Sequence, residues 1–250
     1  MKIISNPSGK GRKRHIICNF KNFYNGKPFK CDIVLDEPEM DTLVIATPWN
    51  KKPAFYYNQK INCMRAEGEV QFDDKIYRFN PKTDFGTLDW GRGVWTYENT
   101  WYWGTCSCDI DGHSFGFNIG YGFGNTTAAS ENILFWDGVG HKLDDVMFVI
   151  PGDKGHNPIK GRGRKVKSVG LEGRDNINFM EKWKYTSSDG RFEMDFVPII
   201  DRSANIDLKL ICSDQHQVFG KISGIAILDD CRKIELRDVL CSAENIYNRF

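Results

Sequence analysis

The sequence predicts a mostly β protein built from antiparallel hairpins, closed as a barrel or packed as a sandwich. Three observations predict it. From residue 31 onward, short stretches of alternating apolar and polar residues follow one another, joined by Asp-Gly and Asp-Asp turns. No helical segments of ten or more residues alternate with them, which argues against a parallel α/β sheet. Aromatic residues make up 13% of the chain, and four of the 7 Trp fall between Trp90 and Trp103. Aromatic, Gly-rich segments suit strands and concave apolar pockets better than helices.

The elements follow in order. Thr42–Ala46 is a short apolar run stopped by Pro48. Val70 and Phe72 alternate with polar residues, and Asp73-Asp74-Lys75 turns the chain into Tyr77 and Phe79. Trp101, Trp103, Thr105 and Ser107 form one face of a strand, and Asp111-Gly112 turns it back into Phe115, Phe117 and Ile119. Asp137-Gly138 joins Leu134–Trp136 to Val139–Leu143, and Val146, Phe148 and Ile150 repeat the period. Ser188-Asp189-Gly190 links Trp183–Tyr185 to Phe192, Met194 and Phe196. Ile206, Leu208 and Leu210 precede the long run Val218–Leu228, whose internal Gly220 and Gly224 signal the bends of a curved wall. One helix is predicted, Arg237–Tyr247, from Leu240, Ala243 and Tyr247 at helical spacing. Residues 1–26 are basic and weakly patterned. The polar stretch Gly152–Lys167 reads as a loop or a boundary, dividing the rest into β portions at 27–150 and 151–250.

Composition narrows the function classes. Charged residues are 27% and hydrophobic ones 40%, ordinary for a globular chain, and a net charge of +1 draws it toward neither nucleic acid nor an anionic membrane. No apolar run approaches the ~20 residues that span a bilayer. Met1–Lys10 lacks the apolar core of a signal peptide, so a cytoplasmic location is expected. The 8 Cys are then expected as free thiols. Cys106 and Cys108 share one face of a strand, but no His/Cys cluster accompanies them, and neither a metal site nor another cofactor is expected.

The motifs have plain readings. Gly120-Tyr121-Gly122-Phe123-Gly124 lacks the third glycine and following helix of a dinucleotide fingerprint, so its glycines are read as sites of close strand packing against aromatics. Ser8-Gly9-Lys10-Gly11 lacks the first glycine of a phosphate loop. The basic runs Lys10–Arg14 and Arg162–Lys167 read as solvated loops. His216, polar among polar neighbours, reads as a turn or rim residue ahead of a strand. Asp89 stands out in Leu88-Asp89-Trp90-Gly91-Arg92-Gly93-Val94-Trp95. Desolvation by neighbouring Trp raises a carboxyl pKa toward neutrality, as a general acid requires. The structural alternative is an Asp that caps a turn or pairs with Arg92.

Several longer segments resemble one family. They are Ala54–Asn62, Leu88–Trp95, Asn99–Gly104, Phe117–Gly124, Ser187–Phe196 and Ser213–Gly220. Together they resemble domain-of-unknown-function family 2804 from about Lys27 to Phe250. More distantly that family is similar to the lipocalin-like superfamily of carotenoid hydratases and tocopherol cyclases. The resemblance implies two calycin-type antiparallel β-barrels side by side, the first incomplete because relatives carry a further N-terminal segment, with a ligand cavity near their junction. Asp-Trp-Gly at 89–91 resembles the hydratases' D-x-x-W-G segment, in which an Asp protonates an alkene. The spacing differs, and Thr87 replaces the aromatic residue two positions earlier.

Two readings of function follow. In the first, a cofactor-independent hydratase, isomerase or cyclase acts on a small hydrophobic molecule. Asp89 supplies the proton, Trp90, Trp95, Trp101, Trp103 and Tyr121 line the site, and Asn99, Glu131 and His216 orient water or substrate. In the second, the same pocket stores or carries a hydrophobic ligand without chemistry. The burial of Asp89 separates them, and neither reading fixes the ligand or the oligomeric state.

Overall fold

The computed structural model describes residues 1–6, 12–154 and 173–250. The basic stretch ahead of residue 173 therefore lies largely outside the described residues. Among the described residues, sixteen strands form two antiparallel sheets. The first holds β1 (Lys2–Asn6), β2 (Arg12–Tyr24), β3 (Lys27–Glu37), β4 (Leu43–Pro48), β5 (Phe55–Phe72), β6 (Lys75–Phe79) and β7 (Phe85–Val94). The second holds β8 (Glu98–Ile110), β9 (His113–Tyr121), β10 (Ile133–Trp136), β11 (Val139–Lys142), β12 (Val146–Val149), β13 (Trp183–Ser187), β14 (Phe192–Asp207), β15 (Cys212–Ile227) and β16 (Lys233–Arg249). The chain changes sheet between Val94 and Glu98, and residue 150 directly follows β12 of the second sheet.

The turn chemistry explains the hairpins. Asp111-Gly112 and Asp137-Gly138 both place two consecutive residues at positive φ (52° and 86°, then 46° and 86°). That is the geometry in which a two-residue turn matches the twist of its strands. The described parts of the N-terminal segment belong to the first sheet, β1 paired to β2 and β2 to β3.

The second sheet runs β11-β10-β9-β8-β16-β15-β14-β13-β12 and curls until its β12 edge meets β9. There the Phe148 N–H donates to the Tyr121 hydroxyl at 3.2 Å. Inside the curl, Phe148 meets Tyr185 at 4.7 Å and Trp183 meets Phe196 at 5.0 Å between ring centroids. Each such buried side chain is worth ~1.5–3 kcal/mol of apolar transfer. The first sheet has a smaller core around Leu35, Ile61, Met64 and Ala66. Its strands β5 and β7 lie against β8 and β9.

The predicted C-terminal helix is not there. Arg237–Tyr247 is part of β16, and no α-helix occurs among the described residues, so none is long and apolar enough to cross a membrane. Cys241, Ala243, Asn245 and Tyr247 alternate inward, all buried, whereas Leu240 is 64% exposed. The period of two was masked because one of its inward positions is the polar Asn245.

Candidate functional site

The site grows from the inward face of β5. Tyr56, Asn58, Lys60 and Asn62 alternate along that strand, and all four are buried against the second sheet. Asn62 fastens the sheets together. Its amide donates to Thr105 Oγ1 at 2.9 Å, to the Cys106 carbonyl at 3.0 Å and to the Phe117 carbonyl at 2.9 Å. Beyond it a β-bulge with Cys63 in the left-handed region (φ 57°) re-aims the strand.

Lys60 is 1% exposed. Its ammonium contacts the carboxylate of Asp89 on β7, directly opposite in register. It also lies 4.7 Å from the Trp103 ring centroid and 5.9 Å from that of Phe123. A buried ammonium needs such compensation, because the unpaired ion costs several kcal/mol to desolvate. Asp89 is thus neither a turn cap nor a partner of Arg92. It is the counter-ion of a lysine 29 positions earlier in the chain.

Two further carboxyls share this ammonium's field. Glu131, buried just ahead of β10, accepts from the Asn58 amide at 2.6 Å, and its Oε2 has no partner among the described residues. Burial pushes its pKa up, Asp89 adds to the rise, and Lys60 and Asn58 only partly oppose it. Glu244 on β16 is half-buried. It accepts from Gln217 at 2.7 Å and from the Trp101 indole N–H at 3.5 Å. Its pKa is also raised, first by burial and then by Asp89, against the pull of Gln217, Trp101 and Lys60. Burial first, and Asp89 to a smaller extent, thus favours the neutral forms of these two carboxyls, while Lys60 opposes it. Burial and the same acids push the Tyr56 phenol up as well.

Aromatic rings wall the cluster. Tyr56 meets Trp95 at 4.8 Å and Phe123 at 5.7 Å, and Trp101 meets Trp95 at 5.4 Å. Gly91 makes this possible, because a Cβ there would lie 2.5 Å from the Tyr56 ring. Asp89, Trp95, Trp101 and Glu244 keep partial solvent access, while Lys60, Glu131, Tyr56 and Trp103 are buried beneath them. Asp89, Trp95, Trp101, Trp103 and Glu131 therefore gather in one place, as a recess between the sheets.

The remaining predicted site residues fall elsewhere. Trp90 points to the opposite face of β7, 46% exposed and edge-on to Tyr57 at 6.1 Å. Asn99 shares the face of Trp101 and Trp103 but donates to the Thr96 carbonyl at 3.1 Å. Tyr121 is in the core of the second sheet, stacked on Tyr102 at 4.7 Å. His216 lies inside β15, not ahead of it, stacked on Phe179 at 3.7 Å with Nδ1 2.6 Å from Asp201. Asp214, paired to buried Arg174, completes that second polar cluster. The sequence reading missed Lys60, Asn58, Tyr56 and Glu244. Asn58, Lys60 and Asn62 at a period of two within an aromatic strand were the available signal. Glu244 had none, since its segment read as helix. No group of three or more His, Cys, Asp or Glu side chains among the described residues is arranged to hold a metal.

The fold and the recess define a curled, antiparallel β protein with a charged, aromatic-walled site between two sheets. The whole chain, residues 1–250, matches the family described as domain of unknown function (DUF2804), and the chain belongs to that family. No curated protein matches it. Among solved structures it is similar to kievitone hydratase from Nectria haematococca, with a TM-score of 0.51 and 11% identity. The match covers 95% of this chain and 64% of that one, so the chain spans less than two thirds of the hydratase's length. The likeness is one of fold.

Proposed function

We propose that the protein is a cofactor-independent enzyme that protonates a small unsaturated, hydrophobic substrate held between its two β portions, leading to hydration, isomerisation or cyclisation. The observation that carries this reading is the set of three carboxyls around one buried ammonium. Glu244 is the proton donor, because it is raised toward neutrality and keeps access to solvent. Asp89 acts as the counter-ion that holds Lys60 in place. Glu131, fully buried, sets the field beneath it. Trp95 and Trp101 supply ring faces to a developing carbocation, worth ~1–2 kcal/mol per contact. The Trp103 face is already taken by Lys60. The fold likeness to a hydratase supports the reaction class, and a lipocalin-like pair of barrels in the cytoplasm is the setting proposed for it.

The test begins with the hydrophobic molecule that co-purifies, identified by mass spectrometry of an organic extract. Incubated with the protein in deuterated water, it is expected to gain deuterium at carbon. Glu244→Gln is expected to bind the same molecule and incorporate none. Binding without incorporation by either protein would replace the enzyme with a carrier.

A further inference from the structure

β8 and β16 are hydrogen-bonded neighbours only from Glu98↔Arg249 to Cys106↔Cys241. Beyond that point β8 continues to Ile110 with β9 alone, and β16 extends back to Lys233 with β15 alone. The second sheet is therefore forked. At the vertex the Cys106 thiol donates to the Leu240 carbonyl at 3.4 Å. Between the tines lies a cleft of about 580 Å³. Ile110, Trp136, Ile234 and Val239 form its apolar floor, the exposed end of the second sheet's core. None of its lining residues belongs to the Lys60 recess.

In an antiparallel ladder, alternate residues aim their N–H and C=O groups at each neighbour. A strand with a neighbour on one side only presents a row of these groups to whatever enters from the other. Here two such rows face one cleft. On β8 the row is Ser107–Ile110. On β16 it is Lys233–Leu236, ended by a bulge at which Asp238 takes the left-handed conformation (φ 52°). Either free row is four residues long, which sets the length of segment it can pair at about 3.4 Å per residue. Lys233 at the start of β16 and Asp111 in the β8–β9 turn both line the cleft. Neither has an ion-pair partner among the described residues, and they offer opposite charges to a peptide's polar groups.

We propose that this fork is a peptide-binding site, which takes an extended segment of four residues as an added strand. Alternate apolar side chains of the segment rest on Ile110, Ile234, Val239 and Trp136, and its backbone completes one or both free rows. The probe is the blocked tetrapeptide acetyl-Val-Thr-Val-Thr-amide, titrated into the isotope-labelled protein and followed by backbone amide resonances. The expected result is perturbation confined to residues 107–111 and 233–240, with slowed amide exchange in Ser107–Ile110 or Lys233–Leu236. The same peptide N-methylated at all four residues cannot complete either row, because neither of its edges keeps the N–H groups of the ladder. It is expected to bind at least about tenfold more weakly, the loss of one to two hydrogen bonds. Because the protein is unchanged between these arms, misfolding cannot mimic the result. Equal binding of the N-methylated peptide, perturbation outside the fork, or no binding at millimolar peptide would each overturn the proposal. So would occupation of the fork by the apolar dye anilinonaphthalene sulfonate that the peptide fails to displace, since the cleft would then take small hydrophobes.

Discussion

Asp89→Asn removes the counter-ion of a wholly buried ammonium and changes little else. Breaking a buried ion pair at one end costs ~3–5 kcal/mol, because the remaining charge is left uncompensated. Lys60 is 1% exposed and keeps only the ring faces of Trp103 and Phe123 and the more distant Glu131 and Glu244. Those residual partners place the expected loss near the lower end, about 3 kcal/mol. For a chain of this size that corresponds to roughly 6–12 °C in Tm. Lys60→Met should cost clearly less, because the Asp89 side chain is 38% exposed and turns to water when its partner is gone. The double variant should melt close to Lys60→Met alone, since an apolar replacement of both ends leaves no buried ion. Thermal melts of the four proteins at pH 7 measure this asymmetry. If Asp89→Asn melts within about 2 °C of the parent, or if Lys60→Met is the more damaging single change, Asp89 is not holding a buried cation.

Four further outcomes are expected. Glu131 has a raised pKa when folded, so its contribution to stability is full below its unfolded value of about 4.5 and is lost as pH rises through the folded value. Urea titrations across pH should therefore show the stability of Glu131→Gln relative to the parent increasing as pH rises above about 4.5. Burial alone would lower the His216 pKa, but Asp214 and Asp201 outweigh it and raise it. Its contribution is thus present below pH 6.5 and lost as pH climbs through the folded value, and His216→Gln should flatten that decline in the same titration. Gly91→Ala puts a methyl 2.5 Å from the Tyr56 ring, and should cost ~1–3 kcal/mol and perturb tryptophan fluorescence by shifting Tyr56 off Trp95. All eight cysteines are unpaired. Titration of the denatured, unreduced protein should find eight reactive thiols, although Cys18↔Cys31 and Cys106↔Cys241 stand directly opposite in register.

Much of the hairpin series was legible because its signals are local. Asp111-Gly112, Asp137-Gly138 and Asp73 took the positive-φ turns that their residue types favour, and the strands on either side were placed correctly. The C-terminal strand was not, because a period of two with a polar member and a period of 3.6 with gaps look alike over eleven residues. The gathering of Asp89, Trp95, Trp101, Trp103 and Glu131 could be anticipated as a list but not as a geometry. Trp90 is adjacent to Asp89 in sequence and opposite to it in space, since successive residues of a strand face opposite sides.

The sequence by itself determined that the chain would fold as successive antiparallel hairpins rich in buried aromatics, because turn preference and side-chain alternation act within a few residues. Tertiary structure alone decided what Asp89 is. Its ionisation partner sits on β5, the acids that compete for that partner sit ahead of β10 and on β16, and these segments span most of the chain. A carboxyl's pKa depends on charges within a few ångströms and on the water excluded around it. Both are properties of which strands the folded sheets bring face to face.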